Sequence, residues 1–200
     1  MDSARSGINS SRANPAPPPP TPPTTAQQTN PLLFVAQQAD IQGKISFGEY
    51  CVIHPKCQII AEGGDITFGD HCIIEEKVRI INRARKDEQG RPVKKDMFIG
   101  SYNFFEVHSQ LDSTDVGDMN EFQFKCLVQD GCKIENFCQI NSCVTVPRGT
   151  VLPSYSVAYE DGGKVRQNLD FNEEAKRCTV KELCTFLLEQ LPKHNKQREQ

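Results

Sequence analysis

The chain has no tryptophan, and aromatic residues make up only 8% of its 200 residues. Its core must therefore be built mainly from aliphatic side chains, phenylalanine and cysteine. No apolar run approaches the ~18 residues of a membrane-spanning helix, and a formal charge of −3 argues against a general nucleic-acid binder, which needs a basic face. We expect neither membrane insertion nor nucleic-acid binding, and the polar start of the sequence predicts no secretory signal.

Nine cysteines are many for this length, and three interpretations of them compete. A disulfide framework needs an oxidising compartment. A zinc site needs Cys or Cys/His pairs at short spacing, whereas this sequence has no Cys-x-x-Cys pair and four scattered histidines. The third interpretation is that the thiols act as small, buried hydrophobic groups, and the spacing of the cysteines favours it.

A period of six residues runs from Val35 to Leu152. Branched or aromatic anchor residues recur at this period in blocks separated by short slips and one insertion. The 18 anchors are Val35, Ile41, Phe47, Ile53, Ile59, Phe68, Ile74, Ile80, Ile99, Phe105, Leu111, Val116, Phe122, Val128, Ile134, Ile140, Val146 and Leu152. Such a repeat is typical of hexapeptide parallel β-helices. The sequence predicts an all-β solenoid, a single-stranded left-handed parallel β-helix of about six turns, with a C-terminal α-helix.

A second column of small residues stands four positions after most anchors. Six of the seven cysteines within hexads fall in this column, and Cys143 is the exception. We expect anchors and small residues both to face the interior, where close packing excludes bulk from the second column. The predicted structural core comprises Ile53, Cys57, Phe68, Cys72, Ile74, Ile99, Phe105, Phe122, Cys126, Val128, Cys132, Ile134, Cys138 and Ile140.

Glycines directly follow four of the anchors. These residues are Gly48, Gly69, Gly100 and Gly117. Because glycine adopts positive φ without penalty, we expect them to form the bends between strands.

The composition divides the chain into four parts. Residues 1–30 hold seven of the thirteen prolines and are predicted to be a disordered extension, in which Thr21-Pro22 is either a proline-directed phosphorylation site or passive. Residues 31–165 form the predicted β-helix, interrupted by a charged loop at 83–97. Residues 166–192 are predicted to be a linker and a helix with a capping box at Thr179 and Glu182, ending at Pro192, and 193–200 a frayed polar tail.

Several segments resemble a known family. They run in the family's order: Val52-Ile53-His54-Pro55-Lys56-Cys57, Ile73-Ile74-Glu75-Glu76, and Ile99-Gly100-Ser101-Tyr102-Asn103 followed by Phe105-Glu106-Val107. With the insertion and the terminal Leu191-Pro192, they resemble the dynactin subunit 6 family over about residues 31–192. The resemblance implies a non-enzymatic subunit of the dynactin pointed-end complex, which supports dynein-driven transport along microtubules and cargo coupling in the cytoplasm and cytoskeleton.

The resemblance also implies particular partners. These are dynactin subunit 5, which is a second β-helical subunit, dynactin subunit 4 and the actin-related pointed-end protein, with dynein as an indirect partner. Because the open end of a β-helix exposes unpaired backbone groups, we place candidate partner contacts at the apolar Leu32, Leu33 and Phe34. The charged loop adds Arg91, Lys94 and Lys95.

Two enzymatic alternatives share the same fold. A γ-class carbonic anhydrase needs three imidazoles converging on zinc, and the candidates are His54, His71 and His108. A hexapeptide-repeat acyltransferase needs a general-base histidine in a groove, for which His108 is the candidate. The histidines lack the spacing of such a zinc site, so we predict no catalytic or metal-binding residues and no cofactor.

Overall fold

The computed structural model describes residues 32–112, 115–160, 162 and 164–199. The predicted disordered extension and Thr21 lie outside these residues. The described chain forms short strands joined by tight corners, followed by one helix. This is the arrangement expected when large inward-facing residues recur every six positions, because each hexad supplies one strand and one corner.

Twenty-two strands precede the helix among the described residues. In chain order they are β1 (Leu33–Val35), β2 (Asp40–Gln42), β3 (Ile45–Ser46), β4 (Cys51–Ile53), β5 (Gln58–Ala61), β6 (Ile66–Phe68), β7 (Ile73–Ile74), β8 (Arg79–Asn82), β9 (Arg85–Lys86), β10 (Pro92–Val93), β11 (Met97–Ile99), β12 (Phe104–Phe105), β13 (Gln110–Asp112), β14 (Asp115–Val116), β15 (Glu121–Phe122), β16 (Leu127–Val128), β17 (Lys133–Ile134), β18 (Gln139–Ile140), β19 (Thr145–Val146), β20 (Val151–Leu152), β21 (Ser156–Glu160) and β22 (Lys164–Gln167).

Three parallel sheets form the faces of the coil. The first face has the order β1-β4-β7-β12-β15-β18-β21, with β22 added antiparallel at its end. The second face has the order β2-β5-β8-β13-β16-β19, and the third face has β3-β6-β11-β14-β17-β20. The chain visits the faces in the same sequence in every turn. The predicted β-solenoid with a C-terminal helix is confirmed.

The coil has seven turns on its first face, not the six that the sequence predicts. The extra strand is β21, in which Ala158 pairs with Ile140 and occupies the anchor position. Alanine is too small to be recognised as an anchor, so the count ends at Leu152. Ala158 is nevertheless completely buried.

The slips in the hexad spacing do not disturb the strand register. Val116 pairs with Ile134, three hexads further on, and also with Ile99, one residue short of three hexads before it. Phe68 pairs with Ile99 across the 83–97 insertion, so the strands on both sides of it remain in register. The insertion itself contains the antiparallel hairpin of β9 and β10, where the sequence predicts a loop without regular structure.

The core is a single column of side chains inside the coil. All fourteen residues of the predicted structural core are buried and pack in one cluster. The rings of Phe105 and Phe122 stack with centroids 4.4 Å apart in successive turns. Burial of one such side chain stabilises the fold by about 1.5–3 kcal/mol, so the turns are held together mainly by contacts between equivalent residues.

The glycines that follow anchors do not form the bends, which corrects the prediction. Positive φ occurs instead three residues after the anchor, as at Lys56 and His71. Gly100 has no positive φ, and a Cβ atom built there would lie 2.7 Å from the backbone carbon of Gly117. These glycines are therefore required by close contact between successive turns.

Helix α1 spans Glu173–His194 and packs along the first face. The side chain of Asn172 caps it by accepting a hydrogen bond from the backbone N–H of Ala175 at 2.9 Å. The capping box predicted at Thr179 is wrong, since this residue lies in the second turn of α1, and Pro192 lies inside the helix rather than after it. No helix in the described part of the chain is long and apolar enough to cross a membrane.

Candidate interaction surfaces

The apolar residues at the first end of the coil, the end that begins with β1, differ in their accessibility. Phe34 is 1% exposed and packs with Val52 against Leu188 of α1. Leu33 is half-buried at the edge of the core, and the carbonyl of Leu32 accepts a hydrogen bond from the Tyr50 backbone N–H. The helix therefore covers much of the segment in which the sequence places partner contacts.

The residues after α1 cover the outer edge of β1. The backbone N–H of Arg198 donates to the Val35 carbonyl at 2.7 Å, and the N–H of Gln37 donates to Lys196 at 2.8 Å. The side chain of Arg198 also donates to the Ala39 carbonyl at 2.9 Å. The sequence predicts that this tail is frayed, but residues 196–198 satisfy backbone groups that would otherwise face outward at the first end.

The last end of the coil is protected by two prolines. In inner turns the residue after the anchor donates its N–H to the following turn, as Gln129 does to Val146 and Glu135 to Leu152, both at 3.0 Å. The equivalent residues of the last turn are Pro147 and Pro153, which have no N–H to leave unpaired. Strand β22 covers the first face at this end, so part of the last end is protected against the addition of a further strand.

The second and third faces have open edges at the first end. Strands β2 and β3 are the outermost strands there, and no described strand lies beyond them. The half-buried side chains of Ile41, Ile45 and Phe47 pack against the core at this edge. Such an edge is a template for another chain, and the two ends of the coil therefore differ in their capacity to bind one.

The hairpin that projects from the coil is held by ion pairs. Arg83 contacts Asp112 at 2.9 Å, and Arg85 forms a pair with Asp130. These pairs anchor the base of the hairpin against the following turns, so it is not a free loop.

The three basic candidates in this insertion also form ion pairs within the chain. The Arg91 Nε atom lies 2.7 Å from Asp87, and the Lys95 Nζ atom lies 3.4 Å from Asp115. Lys94 contacts Asp65 at 3.0 Å, and hydrogen bonds from Lys44 and Lys94 lower the pKa of the Asp65 carboxyl. All three basic side chains remain largely exposed, so a partner could reach them.

An aromatic ladder follows the corner between the third and first faces. The ring of His71 stacks between Tyr50 and Tyr102, with centroids 4.8 and 4.7 Å away. Arg177 of α1 lies over the ring of Tyr102, 5.0 Å from its centroid, and Leu183 packs beside it. The ladder therefore serves to seat α1 on the coil.

The three candidate histidines do not converge within this chain. His71 lies in the ladder, whereas His54 and His108 belong to the corner between the first and second faces. Burial lowers the pKa of both the His54 and the His71 imidazole, and the ring of His108 lies edge-on to Phe124. In the described residues, no group of three or more His, Cys, Asp or Glu side chains could hold a metal ion.

Two buried asparagines were not predicted from the sequence. Asn103 and Asn120 occupy the small-residue column and are fully buried. The Asn103 amide donates to the carbonyls of Gly100 and Gly117 at 2.8 and 2.9 Å, and its oxygen accepts from Asn120. A sequence signal for them exists, because both asparagines stand four residues after an anchor that is followed by glycine.

The chain has relatives among characterised proteins. The chain is 39% identical over 126 residues to dynactin subunit 6 of Nematostella vectensis, covering 59% of this chain and 68% of that protein. It is 33% identical over 146 residues to dynactin subunit 6 of Xenopus tropicalis, covering 64% of this chain and 72% of that protein.

A structural likeness supports the architecture alone. A hexapeptide transferase family protein from Anaplasma phagocytophilum superposes with a TM-score of 0.58 at 15% identity, covering 80% of this chain and 92% of that chain. No protein-family model matches the sequence. By the identity and coverage of its relatives, the chain belongs to the dynactin subunit 6 family.

Proposed function

We propose that this chain is a non-enzymatic structural subunit of dynactin, located in the pointed-end subcomplex and supporting dynein-driven transport along microtubules. The observation that carries this proposal is the 39% identity to a dynactin subunit 6 over 126 residues, which are 59% of this chain. The proposed partners are dynactin subunit 5, dynactin subunit 4 and the actin-related pointed-end protein, with dynein reached indirectly. The proposed location is the cytoplasm and cytoskeleton, where the subunit helps couple the motor to cargo.

The arrangement of the histidines supports a role without catalysis. An acyltransferase or a γ-class carbonic anhydrase needs imidazoles free to meet substrate or metal. Here the ring of His71 is enclosed by two tyrosines, and the ring of His108, the candidate general base, lies edge-on to Phe124. On this proposal the chain acts through surfaces for protein contacts.

We place the main partner contact at the first end of the coil. The edges of β2 and β3 are open there, whereas Pro147, Pro153 and β22 protect the last end. A partner that adds a strand to this edge gains backbone hydrogen bonds and covers the half-buried side chains of Ile41 and Phe47. The exposed basic side chains of the hairpin supply a second contact for an acidic surface.

The assignment to dynactin is tested by affinity purification of the tagged full chain followed by mass spectrometry. Recovery of the other pointed-end subunits in stoichiometric amounts is expected. Their absence would contradict the assignment, and turnover of acyl-CoA or hydration of carbon dioxide by the purified protein would instead favour an enzyme.

The two contact surfaces are tested separately. A photo-crosslinking amino acid in place of Gln42, at the first end, should capture a pointed-end subunit, whereas the same amino acid in place of Arg148, at the last end, should not. Reversal of charge at Arg91, Lys94 and Lys95 should reduce co-purification without changing the circular dichroism of the isolated protein. Equal crosslinking from both ends, or unchanged co-purification, would contradict the respective placement.

A further inference from the structure

The outward side of the third face carries an aligned row of side chains. The strand register places Thr67 beside Phe98, and Asp115 beside Lys133. In order along the coil the row is Ser46, Thr67, Phe98, Asp115, Lys133 and Val151. Phe98 is 59% exposed and Val151 is 58% exposed, so no described element covers either end of the segment Phe98 to Val151.

A second outward row runs beside the first and divides into two halves. One half contains Gly100 and Gly117, and the other contains Glu135 and Pro153. These four residues each follow the anchor of the same strands that carry Phe98, Asp115, Lys133 and Val151. The glycine half therefore has no side chains of its own, although side-chain oxygens of Asp118 and Asn136 lie against Gly100 and Gly117, and the other half carries side chains.

We propose that a second copy of this chain packs on this face, with the axes of the two coils antiparallel. The two-fold axis then lies in the plane between the two copies. It runs parallel to the strands and passes midway between β14 and β17. It places Phe98 against Val151 of the second copy and Asp115 against Lys133 of the second copy. In the neighbouring row, Gly117 receives Glu135 and Gly100 receives Pro153. Each copy thus supplies both halves of every contact, as an isologous interface requires.

The charges select this arrangement over the other two-fold packing of the same face. With the coil axes parallel, Asp115 would face Asp115 and Lys133 would face Lys133, and like charges in contact disfavour association. The antiparallel arrangement pairs opposite charges. Asp115 already contacts Lys95 at 3.4 Å, and Lys133 contacts Glu135 at 3.2 Å, so the dimer joins two existing ion pairs into an alternating network.

A shallow groove lies at the centre of this surface. It has a volume of about 340 Å³ and is lined in part by Phe98, Gly117, Lys133 and Ser154. The proposed two-fold axis passes over it, and the groove gives the side chain of Glu135 of the second copy room beside Gly117. The absence of side chains at the glycines and the groove beside Phe98 therefore both make room for side chains of the second copy.

The extent of the surface sets the expected strength. Four strands spaced by about 4.8 Å extend the contact over roughly 20 Å along the coil, and a patch of this length and only a few residues wide buries less than the ~800 Å² per partner of a standard interface. The dimer should therefore be weak and should form only at high protein concentration. It does not depend on the proposed function, because it concerns the isolated chain.

Sedimentation equilibrium of the full purified chain tests the proposal over a range of concentrations. Asp115→Lys alone and Lys133→Asp alone should each weaken association at least tenfold. The variant carrying both changes should regain association within a few-fold of the native protein, because the opposite charges again meet. Glu76→Lys, a charge reversal at the exposed corner between the first and second faces, should have no effect.

Three results would overturn the proposal. They are a native protein that stays monomeric at high micromolar concentration, a single reversal that leaves the association constant unchanged, and a double variant that associates no better than the single ones. The last result would exclude the antiparallel geometry in particular. Circular dichroism and thermal unfolding of each variant establish that a loss of association is not a loss of fold.

Discussion

Replacement of Gly100 by alanine should loosen the coil by forcing two turns apart. A Cβ atom at this position would lie 2.7 Å from both the carbon and the oxygen of the Gly117 carbonyl group, and closer still to the Asp118 carboxylate. Backbone atoms of the next turn cannot move without breaking the ladder between β11 and β14. Overpacking of this kind destabilises proteins by about 1–3 kcal/mol.

A smaller effect acts in the opposite direction. Alanine restricts the unfolded chain more than glycine does, which stabilises the folded state by about 0.4–1 kcal/mol where φ is compatible. Gly100 has no positive φ, so this gain applies. The net loss for Gly100→Ala is therefore about 1–2 kcal/mol.

Urea unfolding followed by circular dichroism measures this loss as a lower midpoint. Gly100→Asn separates the two explanations of the glycine, because asparagine tolerates positive φ better than alanine does but is bulkier. Contact between turns predicts that asparagine is worse than alanine. If Gly100→Asn proved more stable than Gly100→Ala, or if Gly100→Ala matched the native protein, close packing of the turns would not be the reason for glycine here.

Three further predictions concern other parts of the fold. In native protein a thiol reagent should modify Cys143 and Cys178, which are the exposed cysteines, and it should reach all nine cysteines only in denaturant. Burial raises the pKa of several of the other thiols to about 11 or 12. Rapid modification of more than two cysteines in the native protein would contradict the buried column. Asn172→Ala should lower the free energy of unfolding by about 1 kcal/mol through loss of the helix cap, and an unchanged urea midpoint would disprove that role. Burial favours the protonated form of Glu121, but the ion pair with Lys176 outweighs this effect and lowers the pKa of the Glu121 carboxyl. The pair therefore stabilises the fold above about pH 4.3, the ordinary pKa of glutamate. This stabilisation is lost as the pH falls through the lower pKa of the folded state. Acid unfolding of Glu121→Gln should show a smaller loss over that window, and an identical acid limb would refute the contribution.

The hexad repeat allowed the fold to be predicted because each inward position has the same local requirement in every turn. Anchors such as Ile53 and Ile134 must be large and apolar, so the pattern is visible without knowledge of the neighbours. Ala158 does not follow this rule: it is small although it occupies an anchor position in the last turn. The sequence therefore predicts six strands on the first face, whereas the structure has seven parallel ones.

Features that depend on contacts between turns could not be predicted in the same way. The glycine at position 100 is explained by the backbone of residue 117, which follows only one turn later but belongs to another strand. The buried amide of Asn103 is explained by carbonyls from two turns. The outward row from Phe98 to Val151 can be recognised as a surface only when the strand register is known, because neighbouring residues of the row are separated in sequence by three corners of the coil.

The C-terminal helix and the proposed partner site at the first end are physically linked. In a solenoid each turn is stabilised mainly by its neighbours, so the first turn has contacts on one side only. Helix α1 supplies the missing contacts on the first face, because Leu188 covers Phe34 and Arg198, just after the helix, bonds to the Val35 carbonyl. Loosening of α1 would therefore weaken the first turn before any other. Because β2 and β3 belong to that turn, the position of α1 determines whether their open edges are held in a shape that a partner can extend.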